Sequence, residues 1–136
     1  MRKYKILVVE NDIDEQYFIK EAFDATDLFQ LLGQLSQGEE LFQWLSEHPS
    51  ALPDVVLSDL NMPGKNGYHI LAEMKANPLY AHIPIIIIST SSTPSIIEKC
   101  MEAGAAGYLI KPDTFIAYGK FVEKLHALIE SEQLVP

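Results

Sequence analysis

Four polar clusters interrupt the apolar runs of this chain where chemistry could occur. Glu10, Asn11 and Asp12 follow Val8-Val9, and Asp59 follows Val55-Val56-Leu57-Ser58. Ser89 and Thr90 follow Ile85–Ile88, and Lys111 follows Tyr108-Leu109-Ile110. Carboxylate and amide oxygens suit a hard cation, a carboxylate can act as a nucleophile, a hydroxyl can donate to an anion and an ammonium can neutralise one. That chemistry needs all four clusters in one place.

Taken singly, each has an ordinary reading. Asn11, Asp12 and Asp14 suit a helix N-terminus, where acidic side chains cap free N–H groups and complement the dipole. Asp59 can open a turn through Asn61, Met62, Pro63 and Gly64. Thr93-Pro94 reads as an N-cap with proline at the first helical position, so part of the Ser89–Thr93 stretch serves that helix, although Ser89 itself lies too early to cap it. A lone lysine is ordinarily a surface residue.

The elements around them change the balance. Five short apolar runs, Tyr4–Val9, Leu28–Leu35, Asp54–Ser58, Ile85–Ile88 and Gly107–Ile110, alternate with helical patterns, the signature of an α/β fold with a parallel sheet. Four runs are compact enough to be buried on both faces, and Gly33 interrupts the second. Helical stripes run through Leu41, Trp44 and Leu45; Ile70, Leu71 and Met74; Ile97, Cys100 and Met101; and Tyr118, Val122, Leu125 and Ile129. The first helix, about Ile13–Ala25, carries Phe18, Ala22 and Ala25 on one face. Each stripe reads as core.

All four polar clusters then fall at the carboxyl ends of strands, the edge where open parallel sheets bind ligands. The strand order 2-1-3-4-5, taken from the fold class, makes strands one and three neighbours about 4.8 Å apart, so Glu10 and Asp59 face each other. Ser89 sits one strand beyond Asp59, and Lys111 two strands beyond, about 10 Å away at the backbone and within reach of a lysine side chain.

A chain of 136 residues fits one domain, here residues 1–136, with 48% hydrophobic residues to fill its core. The net charge of −9 argues against direct binding to nucleic acid or an anionic membrane. No apolar run approaches the roughly 20 residues that span a bilayer. The first residues pass straight into a strand pattern, so no signal peptide is expected, and a single cysteine fits a cytoplasmic protein. His48, His69, His82 and His126 lack ligand spacing, and Cys100 reads as a small core residue.

The motifs resemble the receiver domains of two-component response regulators from Ile6 to about Ile129: Glu10-Asn11 in the place of the acidic pair, Asp59-Leu60-Asn61-Met62-Pro63 with Gly67, Ser89, Tyr108 and Lys111-Pro112. The resemblance implies a flavodoxin-like, doubly wound (βα)5 fold of the stand-alone type. It assigns Asp59 as phosphoacceptor, Ser89 and Tyr108 as switch residues, Lys111 as the cation beside the phosphoryl group, and a cis peptide before Pro112. It also implies Mg²⁺ held by Asp59, Glu10 through water, the Asn61 backbone carbonyl, and Asn11 or Asp12. Asn11 departs from the pattern, because that position is normally acidic.

The implied partners are a histidine kinase or histidine phosphotransfer protein, and a downstream protein on the helix 4–strand 5–helix 5 face, with the chain a monomer or weak homodimer. Two rivals stay open: a degenerate receiver that binds partners without phosphorylation, and a toprim-like Mg²⁺-dependent nucleotidyl transferase, for which Asp59 and Asn61 stand where an Asp pair is wanted. A nucleotide or flavin site is disfavoured, since the first loop is acidic where phosphate binding wants glycines.

Overall fold

Strand and helix alternate through the whole computed structural model, which describes residues 2–136. The elements are β1 (Tyr4–Val9), α1 (Ile13–Asp24), β2 (Phe29–Leu35), α2 (Gly38–Glu47), β3 (Val55–Asp59), α3 (Gly67–Ala76), β4 (Ile85–Ser89), α4 (Pro94–Glu102), β5 (Gly107–Ile110) and α5 (Tyr118–Ser131). The five strands form one parallel sheet in the order β2-β1-β3-β4-β5, as expected.

Alternation within the strands divides the core in two. Ile6, Val8, Val55, Leu57, Ile86 and Ile88 face α1 and α5, where they meet Ile19, Phe23, Phe121, Val122 and Leu125. Leu7, Val9, Val56, Ile85 and Ile87 face the other way, against Leu41, Leu45, Ile70, Leu71, Met74 and Cys100 of α2, α3 and α4. Each fully buried isoleucine contributes about 1.5–3 kcal/mol, so the four of Ile85–Ile88 hold β4 between the two halves of the core.

Several expectations need correction. β5 is not buried on both faces, because it lies at the sheet edge: Ile110 is 44% exposed. Met101 is likewise 44% exposed, since α4 is short and turns only its Cys100 side fully inward. Ala25 is exposed as the C-cap of α1, and Trp44 is only partly buried. Thr93 is the N-cap of α4 and Pro94 its first residue, but the Thr93 side chain makes no capping bond. β2 and β3 each begin one residue later than expected; β3 and β4 run one residue further, taking in Asp59 and Ser89.

The interruption at Gly33 has a packing reason. The β1–β2 register slips between Ile6 and Leu7, leaving Leu32 as an extra residue. A Cβ on Gly33 would lie 3.5 Å from Leu7 and 3.6 Å from the Trp44 indole nitrogen.

Candidate functional site

Glu10, the residue after β1, is fully buried. Its backbone N–H donates to Leu35 O at 2.9 Å, and its carbonyl accepts from the Gln16 amide at 2.5 Å. The carboxylate therefore points inward from a fixed backbone. Asp59 ends β3, pinned by its pairing with Ile88 of β4 and by Leu60 N–H donating to Ile88 O at 3.0 Å. Lys111 follows β5 and its N–H donates to Ser89 O at 2.8 Å.

These three side chains meet. Lys111 Nζ lies 2.7 Å from Glu10 Oε1 and 3.3 Å from Asp59 Oδ1, with all three largely shielded from water. The Lys111–Glu10 approach lacks hydrogen-bond alignment, so Glu10 Oε1 is a buried oxygen with no hydrogen-bond partner. Two carboxylates share one ammonium, which leaves an uncompensated negative charge in a low-dielectric place. Burial, then the charge of Glu10, pushes the Asp59 carboxyl up to about 6, against the opposing pull of Lys111. Burial pulls the Lys111 ammonium down, but its close ion pair with Glu10 and the attraction of Asp59 and Glu15 outweigh it and hold the ammonium above its ordinary range.

Gly67 shows why glycine follows the turn. A Cβ there would lie 3.0 Å from Leu60 Cα and 3.1 Å from Asp59 O, so α3 begins directly against the backbone of Asp59. Asn66 caps that helix with a reciprocal box: Asn66 Oδ1 accepts from His69 N–H and His69 Nδ1 accepts from Asn66 N–H.

Ser89 is buried at the end of β4, and its Oγ accepts from Ser91 N–H at 3.1 Å, which leaves its own proton free to be donated. Tyr108 Oη donates to Ser91 O at 2.7 Å, tying β5 to the same loop. Asn11, Asp12, Asn61 and Thr90 are exposed at the rim. Asp12 caps α1, accepting from Glu15 N–H at 3.0 Å, and its own N–H donates to Glu10 Oε2 at 3.1 Å. The peptide before Pro112 is trans, as is every peptide among the described residues; the small trans preference of an X-Pro bond lets context choose, and Lys111 reaches both carboxylates from the trans form.

Gln16, Glu15 and Tyr118 were not expected at the site. Gln16 holds the Glu10 carbonyl, and Tyr118 Oη donates to Glu15 Oε2 across the α1–α5 seam. Their sequence signal is weak, because polar residues in a first helical turn read as caps and Tyr118 reads as core.

Among the described residues no three His, Cys, Asp or Glu side chains are grouped to hold a metal ion. The available donors are nevertheless hard oxygens, and the orphaned Glu10 Oε1 beside Asp59 fits a small divalent cation such as Mg²⁺. Among the described residues no helix is long and apolar enough to cross a membrane.

Comparison with known proteins agrees with this geometry. A family model described as the response regulator receiver domain matches residues 6–117. The transcriptional regulatory protein MalR of Bacillus subtilis is 36% identical over 110 residues, covering 81% of this chain and 45% of MalR. This chain spans about half the length of the first curated relatives it matches. Among solved structures, the phosphorylated cyanobacterial phytochrome response regulator RcpA is 26% identical with a TM-score of 0.82, covering 96% of both chains. The Mn²⁺-bound form of response regulator Rcp1 is 27% identical with a TM-score of 0.79, covering 98% of this chain and 99% of that one. With its sheet order, its buried Glu10–Lys111–Asp59 cluster and a match over most of its length, this chain belongs to the response-regulator receiver domains of two-component systems.

Proposed function

We propose that Asp59 accepts a phosphoryl group from a histidine kinase or a histidine phosphotransfer protein, in a cytoplasmic switch built from residues 1–136 as one domain. The observation that carries this reading is the Asp59 carboxylate itself, buried at the end of a central strand with Lys111 Nζ at 3.3 Å and Glu10 beyond it. A carboxylate oxygen forms a bond to phosphorus as the bond from phosphorus to the donor imidazole nitrogen breaks, and the departing imidazole takes a proton from solvent.

Lys111 neutralises the incoming oxygens and follows the new charge away from Glu10. Ser89 gives its free proton to a phosphoryl oxygen and draws on the Ser91 loop, which Tyr108 already grips. Asp59, Glu10 through water, the Asn61 carbonyl, and Asn11 or Asp12 would hold Mg²⁺. Bound there, Mg²⁺ supplies the positive charge that the two carboxylates leave wanting. Displacement of that loop on phosphorylation shifts the α4–β5–α5 face, where Met101 and Ile110 are exposed for a downstream protein or a weak homodimer.

The degenerate-receiver reading draws on the exposed amide of Asn11 and on the lack of a third grouped acid among the described residues. Incubation with a small acyl phosphate and Mg²⁺ separates the two. Acid-stable, base-labile phosphoryl uptake that disappears in Asp59→Asn supports the switch; no uptake by the wild type at any Mg²⁺ concentration contradicts it.

A further inference from the structure

Four contacts close a ring between the two loops that flank Asp59. Tyr118 Oη, at the first residue of α5, donates to Glu15 Oε2 of α1. Glu15 N–H donates to Asp12 Oδ1 at 3.0 Å, and Asp12 N–H donates to Glu10 Oε2 at 3.1 Å. Glu10 Oε1 then meets Lys111 Nζ at 2.7 Å. From Lys111 the chain runs through Pro112–Ala117 back to Tyr118, so the ring is complete.

The links at the two ends of the ring, Tyr118–Glu15 and Glu10–Lys111, are set where water competes poorly, and they brace the exposed Asp12 cap between them. Tyr118 is 3% exposed and packs against Phe18 and Phe121, so its ring is fixed and its hydroxyl has one direction to face. Glu15 is half-buried, its carboxyl pushed up by burial and by the neighbouring acids Glu10, Asp12 and Asp14, against Lys111, which lowers it. A carboxylate drawn into such a place needs a donor, and the phenol is that donor.

We infer that Tyr118 and Glu15 are positioning residues: they hold the β1–α1 loop so that Glu10 stays turned toward Lys111, and thereby set the geometry of Asp59 for phosphoryl uptake. Neither touches Asp59. Their effect passes through Asp12 and Glu10, and release of either would let Asp12 leave its cap and free Glu10 Oε2. This inference rests on the phosphoacceptor reading for its kinetic consequence alone, since the ring stands without it.

The test uses the full chain, first without metal. Tyr118→Phe removes one hydroxyl and keeps the packing, so amide hydrogen exchange at Asp12 and Glu15 should quicken about tenfold, the effect of losing a hydrogen bond to a charged group. Exchange at Lys5, whose N–H is held by Asp54 at the opposite edge, should stay unchanged. With a small acyl phosphate and saturating Mg²⁺, the maximal uptake rate should fall about threefold or more while the half-saturating donor concentration holds. Glu15→Ala should behave as Tyr118→Phe does, and Glu15→Gln, which keeps an acceptor for the phenol, should recover most of the loss.

Unchanged exchange at Asp12 and Glu15 in Tyr118→Phe and Glu15→Ala would overturn the inference. So would a uniform quickening that includes Lys5, which marks general loosening, or an unchanged maximal rate despite local loosening. A wild type that takes up no phosphoryl group would instead sink the phosphoacceptor reading, and the exchange measurement would still decide whether the ring holds the loop.

Discussion

Two aspartates bracket β3, and their surroundings differ in kind. Asp54 stands just before the strand, where its Oδ2 accepts from Lys5 N–H at 2.8 Å and its Oδ1 lies 3.6 Å from Arg2. Its carboxylate is satisfied by a backbone donor and a cation at a partly open edge. Asp59 ends the same strand, buried, with a second carboxylate nearby and one shared lysine. One end of the strand uses an aspartate to fasten β1 to β3; the other keeps an aspartate in want of positive charge. Stored electrostatic imbalance of this kind marks a site that gains when a cation or a phosphoryl group with its counter-ions arrives.

The largest expected effect comes from widening that imbalance. Lys111→Ala leaves two buried carboxylates without their ammonium, and the rate of phosphoryl uptake should fall about a hundredfold, or about 2.7 kcal/mol of barrier, while circular dichroism still shows a folded protein. A wild-type rate would reduce Lys111 to a structural counter-ion of the two carboxylates, with no part in uptake. At the opposite end, Asp54→Ala removes a hydrogen bond to a charged group and should lower stability in urea by about 2 kcal/mol without touching uptake. Loss of uptake in that variant would erase the division of labour between the two ends.

Adding charge rather than removing it sharpens the contrast. Asn11→Asp should tighten Mg²⁺ binding about tenfold, a difference of about 1.4 kcal/mol, measured by calorimetry. Asp12 is tied up as the cap of α1, so its swing into the site means giving up that bond. If Asp12→Asn weakens Mg²⁺ strongly while Asn11→Asp does nothing, Asp12 is the residue that serves the metal.

The smallest effect is on stability. Asp59 ionises in the folded, metal-free protein only near pH 6, against an ordinary value of 3.8. The protonated form favours folding, so the contribution of this group is full below about pH 4 and is lost as pH rises through about 6. Asp59→Asn should therefore stabilise the metal-free protein at pH 8 by about 1 kcal/mol after solvent screening, and by nothing at pH 4. Equal urea midpoints for both proteins at pH 8 would mean that Asp59 carries no strain.

Much of this was legible in the sequence. Glu10, Asp59, Ser89 and Lys111 each break an apolar run at its carboxyl end, and a parallel sheet gathers such ends on one edge. Edge position was less legible: Gly107–Ile110 is as apolar as a central strand, yet among the described residues no strand pairs with its outer edge, and Ile110 is exposed. The Tyr118–Glu15 pair joins residues 103 apart in the chain, and no local pattern announces such a contact. The resemblance implies a cis bond before Pro112, but the energy difference at an X-Pro bond is too small for sequence to decide, and the bond is trans. Asn11 and Asp12 could not be ranked as ligands because capping and metal binding ask for the same side-chain types.

The most direct test locates the phosphoryl group chemically. Borohydride reduction of an aspartyl phosphate converts that aspartate to homoserine, and peptide mass spectrometry then reports which residue was modified. After treatment with a small acyl phosphate and Mg²⁺, homoserine should appear at position 59 alone, in the peptide carrying Leu60-Asn61-Met62-Pro63, and nowhere in Asp59→Asn. Homoserine at Asp12 or Asp54, or phosphate on Ser89 with Asp59 unmodified, would contradict the account at its centre.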